Sequence, residues 1–302
     1  MSLVPTSVRP MAGAKFPILV SYAYARMAGS SVGFEKMAAM DDVEILLDSG
    51  AFTALNVGHE IDLKYYVAFL RKWQHRLFGY LALDVIGNPA ATDRNLQIML
   101  DAGLRPVPVH VRGDGQERMD ELFGLSDWVA CGGLRRPHAG HSSKSYVKQK
   151  MIWARGRNVH WLGYTSQPMV EAFKPFSVDC SNWADGHRYG KMHIYLGEGV
   201  WSRREPSRLA KPFSKREAEV LAAVGFSIEQ ARDERLRRIK KSVCTWSQMV
   251  PANVTAYSWI QYIRETRATV GTRVFLATSL AGSGVGEHGE VPLLQRLIRM
   301  TS

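Results

Sequence analysis

The sequence predicts an α/β fold built on a parallel sheet, and three features between residues 16 and 180 support this. Short apolar runs recur there, and each is continuous, as in a parallel strand buried on both faces. Amphipathic segments separate the runs, and each run ends in polar or small residues. Seven such units favour a TIM-like (β/α)8 barrel whose eighth strand lies further on. A doubly wound open sheet is the alternative, because one sequence does not give the strand order.

The elements follow one another in a regular order. The apolar runs that predict the strands are FPILVSYAY, VEILLDSG, YLALDVIG, PVPVHVRG, WVACGG, VHWLGYTS and FSVDCS. The clearest helical segments are IDLKYYVAFLRKWQHRL and ATDRNLQIMLDAGL, and the second closes with a glycine, as helices often do. Either MHIYL (192–196) or TRVFLATS (272–279) can supply the eighth strand.

The composition changes after about residue 198. We therefore assign residues 1–198 to the main part of the barrel, and 199–302 to a basic, mostly helical region. This second region contains the possible closing strand and a C-terminal helix, VPLLQRLIRM. The run RDERLRRIKK is either a solvated helix face or a phosphate-contacting one. The segment AGSGVGEHGE lacks the spacing of a phosphate-binding loop and is interpreted as a flexible loop.

The amino-acid composition favours some classes of function for this protein and disfavours others. Lys and Arg number 39 against 28 Asp and Glu, and the resulting charge of +11 favours a polyanionic partner such as nucleic acid. The three cysteines, Cys131, Cys180 and Cys244, suggest neither a disulfide framework nor a zinc site. No apolar run is long enough to span a bilayer, and the N-terminus does not resemble a secretory signal. We expect a cytoplasmic protein with no membrane partner.

Polar residues at the predicted strand ends are the candidate site, because the carboxyl ends of barrel strands share one face. They are Asp48, Asp84, His110, Gly132 with Gly133, Tyr164 and Asp179. Taken singly, Asp48 can cap a turn, Asp84 can anchor a loop, and His110 can belong to the core. Three aspartates together indicate more, since neighbouring carboxylates raise one another's pKa and one can hold a proton while another is charged. That pairing suits cleavage of a glycosidic bond.

Three motifs resemble the guanine transglycosylases, which exchange guanine in nucleic acid for a 7-deazaguanine base. LLDSGAF resembles the family's TDSGGF or TDSGGY motif, ACGGL its GGL motif, and VDCSNWADGHRYG its nucleophile segment FDCVLPTRSGRHG. The motifs occur in the family's order, and the resemblance covers roughly the first two-thirds of the chain. The segments SYAY and ALDVIGNPAAT are most similar to the phage DNA-guanine transglycosylases.

The resemblance implies roles for individual residues. Asp179 matches the nucleophile that attacks the sugar C1′ and holds the covalent glycosyl intermediate. Asp48 matches the general acid/base that protonates the departing guanine and deprotonates the incoming base. Asp84 matches the aspartate that binds the N1 and N2 edge of guanine, and Phe52 the aromatic residue that stacks on it.

Further base contacts follow from the same motifs. Gly133 matches the backbone N–H that binds the base O6, with Gly132 beside it and Ser49 in the aspartate motif. His110 lies where the family places a glutamine, and an alternative alignment puts Arg112 there.

The expected partners are DNA and a free 7-deazaguanine base such as 7-cyano-7-deazaguanine. A stacked base must be flipped out or presented single-stranded. The candidates for phosphate contacts are Arg135, Arg136, Arg188, Arg237 and Arg238, each of which can instead be a solubility residue. If the chain is phage-encoded, its compartment is the host cytoplasm.

Two departures from the family affect the substrate. The tRNA enzymes carry a C-x-C-x2-C zinc site, which this chain lacks, so neither zinc nor another cofactor is expected. The tRNA family's basic downstream sequence is also replaced here by a different region, which favours DNA. The alternatives are the same chemistry on tRNA, or an inactive nucleic-acid-binding barrel. A metal-dependent hydrolase is disfavoured because the histidines show no HxH or HExxH spacing.

Overall fold

A computed structural model describes residues 15–278, except for 27–29, 57, 59, 135–141 and 234–249. The described chain forms two compact units. One contains the residues up to Cys180 together with residues 272–278, and the other contains those from Ser181 to Gly271.

The first unit is an α/β structure around a curled, eight-stranded parallel sheet. Its strands are β1 (Phe16–Ser21), β2 (Val43–Asp48), β3 (Gly79–Tyr80), β4 (Val109–His110), β5 (Trp128–Cys131), β6 (Asn158–Trp161), β7 (Ser177–Cys180) and, from later in the chain, β10 (Arg273–Thr278). The sheet order is β3-β2-β1-β10-β7-β6-β5-β4. All seven predicted strands are therefore confirmed, and the open alternative in which strand order reverses at a switch point is not observed.

The eighth strand is the later of the two predicted candidates. Strand β10 pairs in parallel with both β1 and β7, so that Leu276 lies opposite Ile18 on one side and Cys180 on the other. Its continuous apolar body suits a central position buried on both faces. The other candidate, MHIYL, belongs to a separate two-stranded sheet. At the two ends of the main sheet, a single parallel bridge joins Leu81, just after β3, to Val107, just before β4.

Helices connect the parallel strands, as expected for crossover connections. Those of the first unit are α1 (Tyr22–Ala25), α2 (Ser30–Ala38), α3 (Ala51–Asn56), α4 (Leu63–Trp73), α5 (Pro89–Asp101), α6 (Gln116–Leu125), α7 (Ser143–Ala154) and α8 (Gln167–Phe173). The two clearest helix predictions are confirmed by α4 and α5. Asp62 caps α4 by accepting from the backbone N–H of Lys64, and Asn88 caps α5 with a proline in its first turn.

An apolar cluster fills the space lined by the sheet's inner face. It combines Leu46 and Val109 with the aromatic rings of Phe78, Trp128 and Phe275, all of them buried. Side chains alternate between the two faces of a strand, so residues two positions from a cluster member share its face. Asp48 on β2 and Asp179 on β7 belong to this inner face, because Leu46 and the cross-strand partner Phe275 do.

The second unit is mostly helical but begins with a hairpin. Strands β8 (Met192–Tyr195) and β9 (Trp201–Arg204) pair antiparallel. Helices α9 (Asp185–Tyr189), α10 (Lys215–Ala223), α11 (Ile228–Arg232) and α12 (Val250–Val270) complete the described part of it. The region after residue 198, predicted to be mostly helical, therefore also contains a strand, β9. The residues of β9, WSRR, alternate between the two faces of the strand. Ser202 and Arg204 share one face, and both hydrogen-bond to the buried Glu217 of α10.

Two predicted features of the C-terminal region lie outside the described residues: the glycine-rich loop 281–290 and the helix 291–300. The same holds for most of the basic run 232–241. Within the described chain, no helix combines the length and the apolar character that crossing a bilayer requires.

Candidate active site

The three predicted aspartates lie at or close to the carboxyl ends of three strands of the first unit, β2, β3 and β7. Asp48 is the last residue of β2, Asp179 is the third residue of β7, and Asp84 follows β3. They are close enough to interact, because both Asp84 and Asp179 raise the pKa of Asp48 by charge repulsion. The structure thus brings together three acidic side chains that are far apart in sequence, at the carboxyl edge of a parallel sheet.

Within the described chain, one oxygen of Asp179 accepts a hydrogen bond and the other does not. The backbone N–H of Gly163 donates to Oδ1 at 2.7 Å, and Nε2 of His160 lies 3.3 Å from the same oxygen. No group in the described part of the chain donates to Oδ2. The side chain is 10% exposed, so the carboxylate is largely shielded from solvent. A carboxylate fixed through one oxygen can present the second as a nucleophile.

Asp48 is suited to exchanging protons at neutral pH. Burial, followed by repulsion from Asp84 and Asp179, raises its pKa from 3.8 to about 7, while backbone N–H groups of Gly50 and Ser49 oppose the shift. The Gly50 N–H donates to Oδ2 of Asp48 at 3.0 Å. A general acid or base works best with a pKa near the operating pH. Asp48 is therefore the group in this cluster best able to deliver and retrieve a proton.

The turn after β2 requires glycine at position 50. Gly50 has a φ of +83°, and a Cβ there would lie 2.7 Å from the backbone nitrogen of Ala23. A residue with a side chain would be strained by its conformation and would collide with the chain that follows β1. The close approach explains why the sequence reads DSG at this strand end.

Ser49 connects the first two aspartates. It is fully buried, and its hydroxyl donates to Oδ1 of Asp84 at 3.0 Å. Burial raises the pKa of Asp84, and the hydrogen bond from Ser49 opposes that shift. Ser49 therefore orients Asp84 and helps keep it ionised, which is the form that accepts two hydrogen bonds from a neighbouring ligand.

Phe52 is an exposed aromatic side chain close to these carboxylates in sequence. It lies in the first turn of α3, and 60% of its surface is accessible. Leu55, one turn further along the same helix, is also exposed. An exposed aromatic face can stack on a planar ligand.

The predicted glycine pair follows β5. The N–H of Gly132 donates to the backbone oxygen of His110, so it holds two strands together. Gly133 has a φ of +72°, and a Cβ there would lie 3.0 Å from Cβ of Arg112. Its N–H has no acceptor among the residues that the structure describes. Of the two glycines, Gly133 is the one whose N–H can bind a ligand.

His110 does not join the aspartates. Its ring nitrogens contact the backbone oxygen of Gly115 and Nζ of Lys150, both at 3.0 Å. Its neighbour Val109 belongs to the inner cluster, so alternation turns His110 outward, toward the α7 residue Lys150. Burial and the Lys150 charge lower its pKa to about 4, which keeps the imidazole neutral. It is a core histidine, the alternative that the sequence left open, and its placement gives no support to substrate binding.

The predicted phosphate contacts are not positioned by the structure. Arg135, Arg136, Arg237 and Arg238 lie outside the described residues, and Arg188 is placed only as a member of α9. Trp183, an aromatic close to the nucleophile in sequence, is 1% exposed and is a packing residue.

Sequence reasoning missed three residues that support Asp179: Gly163, His160 and Ser177. Gly163 follows β6 and has a φ of +64°. Nδ1 of His160 lies 2.8 Å from the hydroxyl of Ser177, its cross-strand partner. The available signal was a polar residue inside each of the apolar runs VHWLG and FSVDC, His160 in the first and Ser177 in the second. Their contact depends on the strand register, which the sequence does not give.

Comparisons of this chain with models of protein families, with curated proteins and with solved structures found no match. Among the described residues, no group of three or more His, Cys, Asp or Glu side chains is arranged to hold a metal ion.

Proposed function

We propose that this protein is a guanine transglycosylase that exchanges guanine in DNA for a free 7-deazaguanine base. The observation that carries the proposal is the pairing of two unlike carboxylates. Asp179 is anchored through Oδ1 with Oδ2 open, and Asp48 beside it has a pKa near neutrality. Base exchange needs this combination, because a glycosyl intermediate requires a nucleophile and each base must gain or lose a proton.

The first half of the reaction removes guanine. Oδ2 of Asp179 attacks C1′ of the sugar, and the bond from C1′ to guanine N9 breaks. The electron pair of that bond moves into the purine, and the proton held by Asp48 neutralises the departing base. The product is a glycosyl ester of Asp179, and Asp48 is left ionised. Asp84 and the Gly133 N–H can bind the base edges, and Phe52 can stack on its face.

The second half inserts the new base. Ionised Asp48 removes a proton from N9 of the incoming 7-deazaguanine, and that nitrogen attacks C1′. The ester bond to Oδ2 breaks, and its electron pair returns to the Asp179 carboxylate. No oxidant, reductant or high-energy donor is consumed, because one glycosidic bond replaces another.

The proposed architecture is a closed (β/α)8 barrel. The cyclic strand order and the bridge between Leu81 and Val107, at the two ends of the sheet, support closure. In such a barrel the carboxyl ends of the strands carry the active site, which is where the three aspartates lie.

Nucleoside mass spectrometry tests the proposal. Purified protein is incubated with guanine-containing DNA or with tRNA and each candidate deazaguanine, and the nucleosides are then analysed. We expect deazaguanine in DNA with wild-type protein and none with Asp179→Asn. Incorporation into tRNA alone would assign the same chemistry to the other substrate. Salt-sensitive DNA binding without any exchange would identify an inactive binding protein and refute the proposal.

A further inference from the structure

The imidazole of His160 lies beneath the candidate nucleophile in apolar surroundings. The ring is fully buried, and the aromatic rings of Trp128 and Phe275 contact it edge-on, with centroids 6.4 and 6.1 Å away. The polar groups near it in the described chain are the Ser177 hydroxyl and the Asp179 carboxylate. A buried imidazole is costly unless its nitrogens find partners, so these two contacts decide its orientation.

The two contacts differ in geometry. Nδ1 and the Ser177 oxygen are at hydrogen-bond distance, 2.8 Å. Nε2 makes no aligned hydrogen bond, and Oδ1 of Asp179 is 3.3 Å away. Active-site hydrogen bonds are often long or poorly aligned before substrate binds and tighten in the complex. The unpaired nitrogen therefore faces the one carboxylate that the proposed reaction uses as nucleophile.

We propose that His160 is a positioning residue for Asp179, with its Nε2–H held toward Oδ1 and its Nδ1 accepting from Ser177. This inference rests on the proposed function. The ionised Asp179 carboxylate can only accept, so it favours the tautomer with the proton on Nε2, and the Ser177 hydroxyl, which can donate or accept, then donates to Nδ1. Together with the Gly163 N–H, the imidazole leaves Oδ2 as the attacking atom, and Oδ1 becomes the carbonyl oxygen of the ester.

The two half-reactions place different demands on this donor. When Oδ2 bonds to C1′, negative charge leaves the carboxylate. When the ester breaks, the charge returns and spreads onto Oδ1, where the Nε2–H stabilises it. The proton stays on Nε2 throughout. Loss of His160 should therefore slow ester breakdown more than ester formation, and the covalent intermediate should accumulate.

The functional test compares His160→Leu with His160→Gln, whose amide N–H can replace Nε2–H. In single-turnover assays with DNA and a deazaguanine, we expect ester breakdown to slow by about 10²-fold in the leucine variant, as for loss of one preorganised donor. The glutamine variant should recover most of that loss. His193→Gln is the control, because His193 is also buried and its Nε2 lies 3.4 Å from Asp185. It should leave the proportion of intermediate unchanged.

A spectroscopic measurement on wild-type protein needs no activity. Nitrogen-15 spectra of histidine-labelled protein should show His160 protonated at Nε2 and unprotonated at Nδ1, with Asp179→Asn moving the Nε2 signal. A proton on Nδ1 would overturn the assignment. So would equal slowing of both half-reactions, or leucine and glutamine variants that behave alike. If wild-type protein exchanges no base, the proposed function fails, and the spectrum alone decides whether His160 donates to Asp179.

Discussion

Asp48 owes its proton affinity to its surroundings. Burial and two nearby carboxylates raise its pKa from 3.8 to about 7, although the Gly50 N–H donates to it. Between about pH 4 and 7, Asp48 is therefore protonated in the folded protein and ionised in the unfolded chain. Folding stability falls as pH rises through that window, because ionisation is unfavourable in the folded state. Asp48 reduces stability at neutral pH, as expected of a functional rather than a structural group.

Replacing Asp48 by asparagine should remove this cost. We expect Asp48→Asn to be more stable than wild type at pH 8, by on the order of a few kcal/mol, with the difference shrinking toward pH 4. Urea denaturation at several pH values measures it. Asp41→Asn, whose carboxyl is 94% exposed, removes the same charge and should lack this pH dependence. A stability difference for Asp48→Asn that does not vary with pH would contradict the assigned pKa.

The same substitution should impair catalysis differently from a change at Asp179. Without a proton donor, guanine release by Asp48→Asn should slow by about 10² to 10⁴-fold, the usual contribution of general acid catalysis. Release of labelled guanine from DNA over time provides the measurement. An unaltered rate would show that another group protonates the base.

At the level of elements, the turn between β2 and α3 holds the site's geometry. It carries Asp48 and Ser49, and Gly50 lets it pass against the backbone of Ala23. The strands could be predicted because each apolar run is continuous. The site formed by the three aspartates could be predicted because the carboxyl ends of parallel strands converge. The contact between His160 and Ser177 could not, because it depends on register. Strand β9 was missed because its polar residues are typical of an exposed helix, whereas Arg204 in fact binds buried Glu217.

Gly50→Ala should disrupt this turn. We expect it to lose about 1 kcal/mol from the left-handed backbone and a further 1–3 kcal/mol from the collision with Ala23. Gly103→Ala is the matched control, because Gly103 has a similar φ of +77° and nothing within 4 Å of a Cβ. Thermal denaturation compares the two. Equal losses would mean that the close approach to Ala23 does not constrain the turn.

For the whole molecule, the charge of +11 predicts how binding responds to salt. Basic side chains that contact phosphates release counterions, so the logarithm of affinity for duplex DNA should fall with the logarithm of salt by about 0.9 per contact. If both Arg237 and Arg238 contact phosphates, reversing their charges together should reduce that slope by the contribution of about two phosphate contacts. Fluorescence anisotropy with labelled DNA measures it. A slope unchanged by the double reversal would remove these two arginines from the interface.

In the proposed reaction, Asp179 carries the sugar during base exchange. The most direct test is to quench a reaction of wild-type protein, DNA and a deazaguanine that blocks turnover, and to map the adduct on denatured protein by peptide mass spectrometry. We predict a DNA adduct on the peptide that contains Asp179, none with Asp179→Asn, and a slower but detectable adduct with Asp48→Asn. An adduct on another carboxylate, or base exchange by Asp179→Asn at close to the wild-type rate, would show that Asp179 is not the nucleophile.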